Sequence, residues 1–110
     1  RALLETRIWQ PHNESVRKAV EAGLLVGTGT DSYGRLSDEI RLIAQAANRT
    51  PVQAIEHATS TSAKIIGRGD LGLLKEGRHA NIAAFPGDLS KSLDTIDRAV
   101  QVWLHGKAVL

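Results

Sequence analysis

The chain has 110 residues, of which 42% are hydrophobic and 24% charged, and its formal net charge is +2. These values are typical of one small globular domain and exclude a disordered chain. Cysteine is absent, which excludes disulfide bonds and thiolate metal ligands. Arg and Lys are scattered, and no apolar run approaches the ~20 residues of a membrane span, so we expect no nucleic-acid surface and no membrane anchor.

The beginning of the chain shows the alternation of helix and strand that is typical of an α/β fold. Apolar residues spaced three and four apart predict a first helix, with an N-cap at Asn13 and a left-handed glycine cap at Gly23. The apolar run at residues 24–26 (LLV) has no polar alternation, which predicts a strand buried on both faces of a parallel sheet. It leads directly into residues 27–31 (GTGTD).

Two further helices are predicted by apolar spacing and by their capping residues. The second helix is predicted to start after Ser37 and to end at a C-terminal cap at Asn48, with its isoleucines facing the interior. The third has the strongest local signal, because Thr50 is followed by a proline in the first helical position and by Gln53 at the site that completes a capping box. We expect this third helix to continue as one piece and to stop at Gly67.

The character of the sequence changes after residue 67. The stretch GRGDLGLLKEGRHA is rich in glycine and predicts turns. A short strand is predicted at residues 82–84, and the period-two alternation at residues 100–104 predicts another. Residues 105–107 (HGK) then turn the chain back into a hairpin. The sequence thus divides into an α/β part, residues 1–67, and a β-rich part, residues 68–110.

The stretch GTGTDSYG at residues 27–34 could be a phosphate loop, a metal and proton-transfer site, or a structural turn. The phosphate loop is excluded. Ser32 stands where a dinucleotide fingerprint needs its third glycine, and no Lys and Ser/Thr follow Gly34 as a P-loop requires. Asp31 is the candidate for the second function, because carboxylates at the C-terminal ends of barrel strands face the active site and can bind a metal or accept a proton. Asp is also a common turn former, so residue type alone leaves the turn open.

Four segments in order are similar to parts of one known family. They are AVEAGLLVGTGTDS, RTPVQAIEHATSTSAKIIG, DLGLLKEGRHANIAAF and VQVWLHGKAVL. They resemble, respectively, the helix and last barrel strand, the helix after that strand, the re-entry into a β-sandwich, and the closing hairpin of the amidohydrolase superfamily. Imidazolonepropionase- and prolidase-like members are the most similar. The resemblance extends from Ser15 to Leu110.

The resemblance implies an α/β fold built from the C-terminal segment of a metal-dependent hydrolase (β/α)8 TIM barrel, followed by strands of a small β-sandwich (composite) domain. Residues 1–67 would form the last part of the barrel, with the strand that ends at Asp31 and its flanking helices. Residues 68–110 would form the C-terminal strands of the sandwich.

The same resemblance implies the chemistry. Asp31 matches the family's last metal ligand, a carboxylate that also serves as proton shuttle for the hydrolytic water, so it is expected to be both catalytic and metal-binding. Ser32 and Tyr33 follow it directly and are expected to border the substrate. The implied activity is hydrolysis of C–N bonds in small amides, cyclic amides or dipeptide-like substrates. The implied cofactor is a divalent metal, zinc, bound only together with the missing N-terminal part of the barrel.

The chain also departs from the family pattern. The re-entry into the sandwich reads Ala80-Asn81 where the family has Ala-Asp, and we expect the neutral Asn81 to tolerate the turn geometry. The start of the second helix lacks a histidine that commonly precedes it in the family, and the chain contains no H-x-H. We expect the four histidines to be at the surface or partly buried. His12 would lie in a loop, His57 in a helix, His79 in a turn and His105 in a hairpin.

The size of the chain bears on its activity. It opens on Arg1 and contains no Met, while a complete barrel takes about 250 residues. We therefore expect a piece of a longer polypeptide, inactive alone, whose partner is the remainder of an amidohydrolase chain or further copies in a homo-oligomer. The alternative is a non-catalytic α/β module that self-associates or binds a partner through unpaired strands. The resemblance and the lack of a targeting signal favour a cytoplasmic location.

Overall fold

A computed structural model of the chain describes residues 10–31 and 34–110. Within these residues, helices and strands follow in this order: α1 (Gln10–Glu21), α2 (Leu36–Ala46), α3 (Pro51–Ala58), α4 (Ser60–Ile65), β1 (Ile82–Ala84), β2 (Gln101–Leu104) and β3 (Lys107–Ala108). None of the helices described has the length and hydrophobicity that crossing a membrane requires.

Helix α1 differs from the prediction at its N-terminal end. The predicted N-cap at Asn13 is wrong, since Asn13 lies inside the helix, which is already formed at Gln10. Pro11 is tolerated in the first turn, where its missing N–H needs no intrahelical partner. The C-terminal end is as predicted. Gly23 has a φ of 78°, and the N–H of Leu24 donates back into the last turn, which is the left-handed glycine cap.

Helices α2 and α3 confirm their predicted apolar spacing, although α2 begins at Leu36, before the predicted start after Ser37. In α2 the side chains of Ile40 and Ile43 are buried, and Asn48 follows the helix with a left-handed φ of 50°. At the start of α3, the Thr50 hydroxyl accepts a hydrogen bond from the N–H of Gln53 at 3.2 Å, and the Gln53 side chain accepts one from the N–H of Thr50 at 3.0 Å. These two bonds satisfy donors that a helix start otherwise leaves unpaired.

The predicted single third helix is divided at Thr59, whose φ is −123° and ψ −92°. Two hydroxyl groups at and after this point donate back to carbonyl oxygens of α3: Thr59 Oγ1 donates to Ile55 O at 2.9 Å, and Ser62 Oγ to His57 O at 2.6 Å. Such bonds compete with the helical pattern and bend helices. Gly72 packs against the break, where a Cβ would lie 2.7 Å from Thr59 O.

Residues 24–30 form an irregular connection and no strand, in contrast to the prediction. Leu24 and Leu25, expected to be buried, are 64% and 59% exposed. The physical reason is that a strand requires neighbouring strands to pair its N–H and C=O groups, and none lies beside these residues in the described part of the chain. The barrel itself is therefore not visible in this structure.

The three strands form one antiparallel sheet in the order β1-β2-β3. The predicted strand at residues 82–84 and the predicted hairpin are both confirmed. Leu104 pairs with Lys107 across the hairpin, so the turn has two residues, His105 and Gly106, with φ values of 50° and 79°. Positive φ at both turn positions matches the right-handed twist of the flanking strands.

The core joins the helices to the segment that leads into β2. Its buried centre consists of Ile40, Ala54 and Ile96. Partly buried hydrophobic side chains pack around it: Ala44, Ile55, Ala58, Phe85, Leu89 and Leu93. The boundary predicted between residues 1–67 and 68–110 stays a prediction, and this core contains side chains from both parts.

Candidate functional site

The candidate catalytic residue Asp31 lies in a turn at the surface, at the end of the connection formed by residues 24–30. Its φ of 52° is in the left-handed region, which costs energy for residues with a Cβ but which Asp tolerates better than most. Residues held in such sparsely populated conformations occur preferentially at functional sites. The predicted substrate contacts, Ser32 and Tyr33, lie outside the described residues.

Side chains from the helical break hold the connection that leads to Asp31. His57 Nδ1 lies 2.6 Å from the carbonyl oxygen of Val26. The Ser62 hydroxyl accepts a hydrogen bond from the N–H of Thr28 at 3.3 Å and donates its own proton to the carbonyl of His57. Side chains of the helices thus satisfy backbone groups that strand neighbours satisfy in a sheet.

Gly27 lies between these two attachment points and touches the helix itself. A Cβ at this position would lie 2.9 Å from Ser62 Oγ and 3.0 Å from Ile65 Cδ1. A larger residue would have to displace these two side chains or move the connection away from α4. The first glycine of the GTGT stretch therefore serves close approach between backbone and helix, which is one of the uses of glycine.

A second carboxylate approaches the connection from the first turn of α2. The N–H of Gly29 points to Glu39 Oε2 at 3.5 Å, which is the long end of the hydrogen-bond range. Sequence reasoning did not identify Glu39 as a candidate functional residue. The contact brings the acidic start of α2 next to the backbone two residues before Asp31.

The histidines are distributed over the molecule rather than collected at Asp31. His12 lies in α1 and not in a loop, and it is exposed, as are His79 and His105. The rings of His79 and His105 meet at the sheet, with their Nδ1 atoms 3.2 Å apart. His57 is more buried than expected, at 6% exposure.

A cavity of about 450 Å³ lies against the core, with Ile40 and Ile96 in its wall. It is mostly apolar and is bounded by the start of α2, helix α3, the loop at residues 72–74 and strand β1. Among the residues that the structure describes, none of the connection or of the Asp31 turn lines it. Since the carboxylate that could do chemistry is elsewhere, we do not assign the cavity as the active site.

The sequence of the chain matches the model of the amidohydrolase family over residues 4–109, which is nearly its whole length. The chain belongs to the amidohydrolase family.

The fold of this amidohydrolase chain is also found in crystal structures. One amidohydrolase superposes with a TM-score of 0.77 at 29% identity, covering 89% of this chain and 25% of its own. A protein from Bifidobacterium longum, provisionally assigned as a prolidase, has a TM-score of 0.79 at 28% identity, covering 88% and 26%. An amidohydrolase from Thermotoga maritima has a TM-score of 0.71 at 18% identity, covering 89% and 26%, which supports the fold alone. The comparison with curated proteins finds no match.

The amidohydrolase chain spans about a quarter of the length of the solved structures that it matches. Amidohydrolases generally use divalent metals, for which the carboxylate of Asp31 is a suitable oxygen donor. The residues described here contain no group of three or more His, Asp or Glu side chains that could hold a metal ion. Because a catalytic zinc site needs about three protein ligands, Asp31 fits as one member of a ligand set that these residues do not complete.

Sequence reasoning missed the contacts of His57 and Ser62. One signal was present, since His57 shares the inner face of α3 with Ala54, three residues earlier, and a polar residue on an apolar face calls for a partner. The partner itself, Val26, is 31 residues away in the sequence. Nothing in the local pattern identifies a pair so distant.

Proposed function

We propose that this chain contributes Asp31 to the active site of a metal-dependent hydrolase that cleaves C–N bonds, of the imidazolonepropionase- or prolidase-like kind. One observation carries the proposal. In a chain of the amidohydrolase family, an exposed carboxylate occupies a left-handed turn at the end of a glycine-rich connection. The likeness to the Bifidobacterium longum protein supports small amide or dipeptide-like substrates.

The carboxylate of Asp31 is suited to move protons. One oxygen can accept a proton from the attacking water, and the same group can return it to the leaving nitrogen, so that the product departs as a neutral amine. A divalent metal, zinc in this proposal, lowers the pKa of water bound to it. The ligands other than Asp31 come from outside the described residues.

The partner in this proposal is the remainder of an amidohydrolase chain. The exposed Leu24 and Leu25 support it, because apolar side chains that are contiguous at a surface mark interaction sites. The second candidate, a non-catalytic module that self-associates or binds another partner, is supported by the same surface. A cytoplasmic location belongs to the leading proposal through the family resemblance.

Native mass and activity separate the two candidates. The protein is purified in the form in which it occurs, its native mass is measured, and amide and dipeptide hydrolysis are assayed with zinc. We expect Asp31→Asn to lower kcat by about 100-fold or more, as removal of a general base does, while the far-UV circular dichroism is unchanged. Asp94→Asn, which removes an exposed carboxylate elsewhere, should leave kcat at the wild-type value.

Two results would contradict the leading proposal. If Asp31→Asn retains wild-type turnover, Asp31 is not the catalytic carboxylate. If the native protein contains only 11.9 kDa chains and has no hydrolase activity, the non-catalytic module is the correct description.

A further inference from the structure

Two side chains next to the break between α3 and α4 make hydrogen bonds to the connection that leads to Asp31: those of His57 and Ser62. Val26 and Thr28 lie five and three residues before Asp31, and each has one backbone group bound by a side chain of this break. From this geometry we propose that His57 and Ser62 are positioning residues, which fix the backbone of residues 26–30 and thereby the place of the Asp31 carboxylate. The inference rests on the proposed function of Asp31 and extends it to two residues that do not touch the reacting atoms.

The three hydrogen bonds form one connected unit. The Ser62 hydroxyl accepts a hydrogen bond from the N–H of Thr28 and donates one to His57 O at 2.6 Å. The two bonds together fix the orientation of the hydroxyl, with its hydrogen toward His57 O. His57 in turn contacts Val26 through its ring. Loss of either side chain therefore removes one of the two points at which the connection is held.

The tautomer of His57 follows from its partner. A carbonyl oxygen only accepts, so Nδ1 of His57 carries the proton that is shared with Val26 O at 2.6 Å. Nε2 is buried and has no hydrogen-bond partner among the described residues. The bond to Val26 is therefore the polar interaction that orients this ring within the part of the chain described.

Burial and packing make these bonds rigid. His57 is 6% exposed, and hydrogen bonds removed from water are harder to exchange for bonds to solvent. Gly27, between the two bonded residues, rests directly on α4. In contrast, Asp31 itself is exposed, so the backbone that precedes it determines where its carboxylate lies.

Loss of residues that orient a catalytic or metal-binding group typically costs 10- to 100-fold in activity. Substitutions that distinguish positioning from general stability are available. Asn places an amide nitrogen where the histidine Nδ1 lies, so His57→Asn keeps the donor, whereas His57→Leu removes it at similar size. Ser62→Ala removes the hydroxyl with a minimal change of volume.

The experiment compares these variants in the native protein, in the form in which it occurs. Three properties are measured: kcat and KM for an amide substrate, hydrogen–deuterium exchange of the peptide covering residues 24–31, and the ¹⁵N shifts of the His57 ring. We expect His57→Leu and Ser62→Ala to lower kcat about 10- to 100-fold, with KM changed less than about threefold. Exchange in residues 24–31 should accelerate in both variants. His57→Asn should restore both properties to within about threefold of wild type.

Controls separate this inference from the function on which it rests. His79→Leu and Ser60→Ala are matched changes away from the connection and should behave as wild type. The wild-type ¹⁵N shifts should report a proton on Nδ1 of His57.

If Asp31→Asn abolishes turnover while His57→Leu and Ser62→Ala retain wild-type kcat and exchange, the positioning role is wrong and the proposed function stands. If Asp31→Asn is fully active, the proposed function fails, while faster exchange in the two variants still shows that they hold the connection. Should His57→Leu fail to fold, the Ser62→Ala and His57→Asn pair decides the same question.

Discussion

The side-chain oxygen of Asn81 accepts a hydrogen bond from the backbone N–H of His105 at 2.9 Å. Asn81 immediately precedes β1, and His105 is the first residue of the two-residue turn between β2 and β3. The adjacent N–H of Gly106 donates to Ala80 O at 3.0 Å. The neutral amide that stands where the family has Asp therefore supplies the same kind of acceptor oxygen to the turn.

We expect Asn81→Ala to weaken this turn by about 1 kcal/mol, the usual net value of one hydrogen bond. The exchange of the His105 amide should then accelerate about fivefold, as measured by NMR hydrogen exchange. Asn81→Asp keeps an acceptor and adds charge, so the amide should exchange as slowly as in wild type or more slowly. Equal exchange rates in all three proteins would contradict the assignment.

Gly27 offers a direct test of the close approach between the connection and α4. Gly27→Ala places a Cβ 2.9 Å from Ser62 Oγ, and we expect it to destabilise the protein by about 1–3 kcal/mol, as overpacking does. Gly29→Ala is the matched control, since a Cβ there has no described heavy atom within 4 Å. Urea denaturation should give a lower midpoint for Gly27→Ala, and a midpoint near that of wild type for Gly29→Ala.

The capping box at the start of α3 predicts a specific cost for Thr50. Thr50→Ala removes the acceptor for Gln53 N–H and should lower the free energy of unfolding by about 1 kcal/mol. Thr61→Ala, inside α4, should be neutral or slightly stabilising because Ala has the higher helix propensity. Thermal unfolding followed by circular dichroism would refute the assignment if the two variants had the same midpoint.

The carboxylate of Asp70 should titrate in an unusual range. Both Asp70 oxygens accept hydrogen bonds from the Arg68 guanidinium at 2.8 Å, and this bonding, together with the charge of Arg68, holds the pKa of Asp70 well below its ordinary value. Because the pKa is lowered in the folded state, the contribution to stability is present above the unfolded pKa of about 3.9. It is lost as the pH falls below that value.

Titration of the Asp70 carboxyl ¹³C shift tests this expectation. The midpoint in wild type should lie below the ordinary range, and Arg68→Gln should move it upward toward about pH 4. Arg98→Gln removes a positive charge elsewhere and should leave the midpoint where it is. A wild-type midpoint in the ordinary range would show that the Arg68 contact does not persist in solution.

Local signals predicted the elements that depend on neighbours in the sequence. The capping box at Thr50, the turn at His105 and the strand at residues 82–84 all follow from residues a few positions apart. The strand predicted at residues 24–26 failed because strand formation depends on pairing partners that local sequence does not provide. The break at Thr59 was missed because hydroxyl groups within the helix and the glycine of a distant loop act there together.

The candidate site was likewise predictable only in part from the sequence. Asp31 was identified by its place after an apolar run and by family resemblance, and the structure describes it in an exposed left-handed turn. Whether Asp31 binds a metal stays a prediction. The residues that hold its backbone were not predictable, since His57 and Val26 meet only after the helices have packed.

The shared core of Ile40, Ala54 and Ile96 has a consequence for how this part of the protein comes apart. Arg41 reinforces it, donating from α2 to the carbonyl oxygens of Leu93 and Asp94. The helices and the segment that leads into β2 should therefore unfold in a single cooperative transition rather than as two thermodynamic units. A protease cut in the glycine-rich loop at residues 68–78 would yield two peptides that stay associated, and neither should persist as an autonomous folding unit once they are parted.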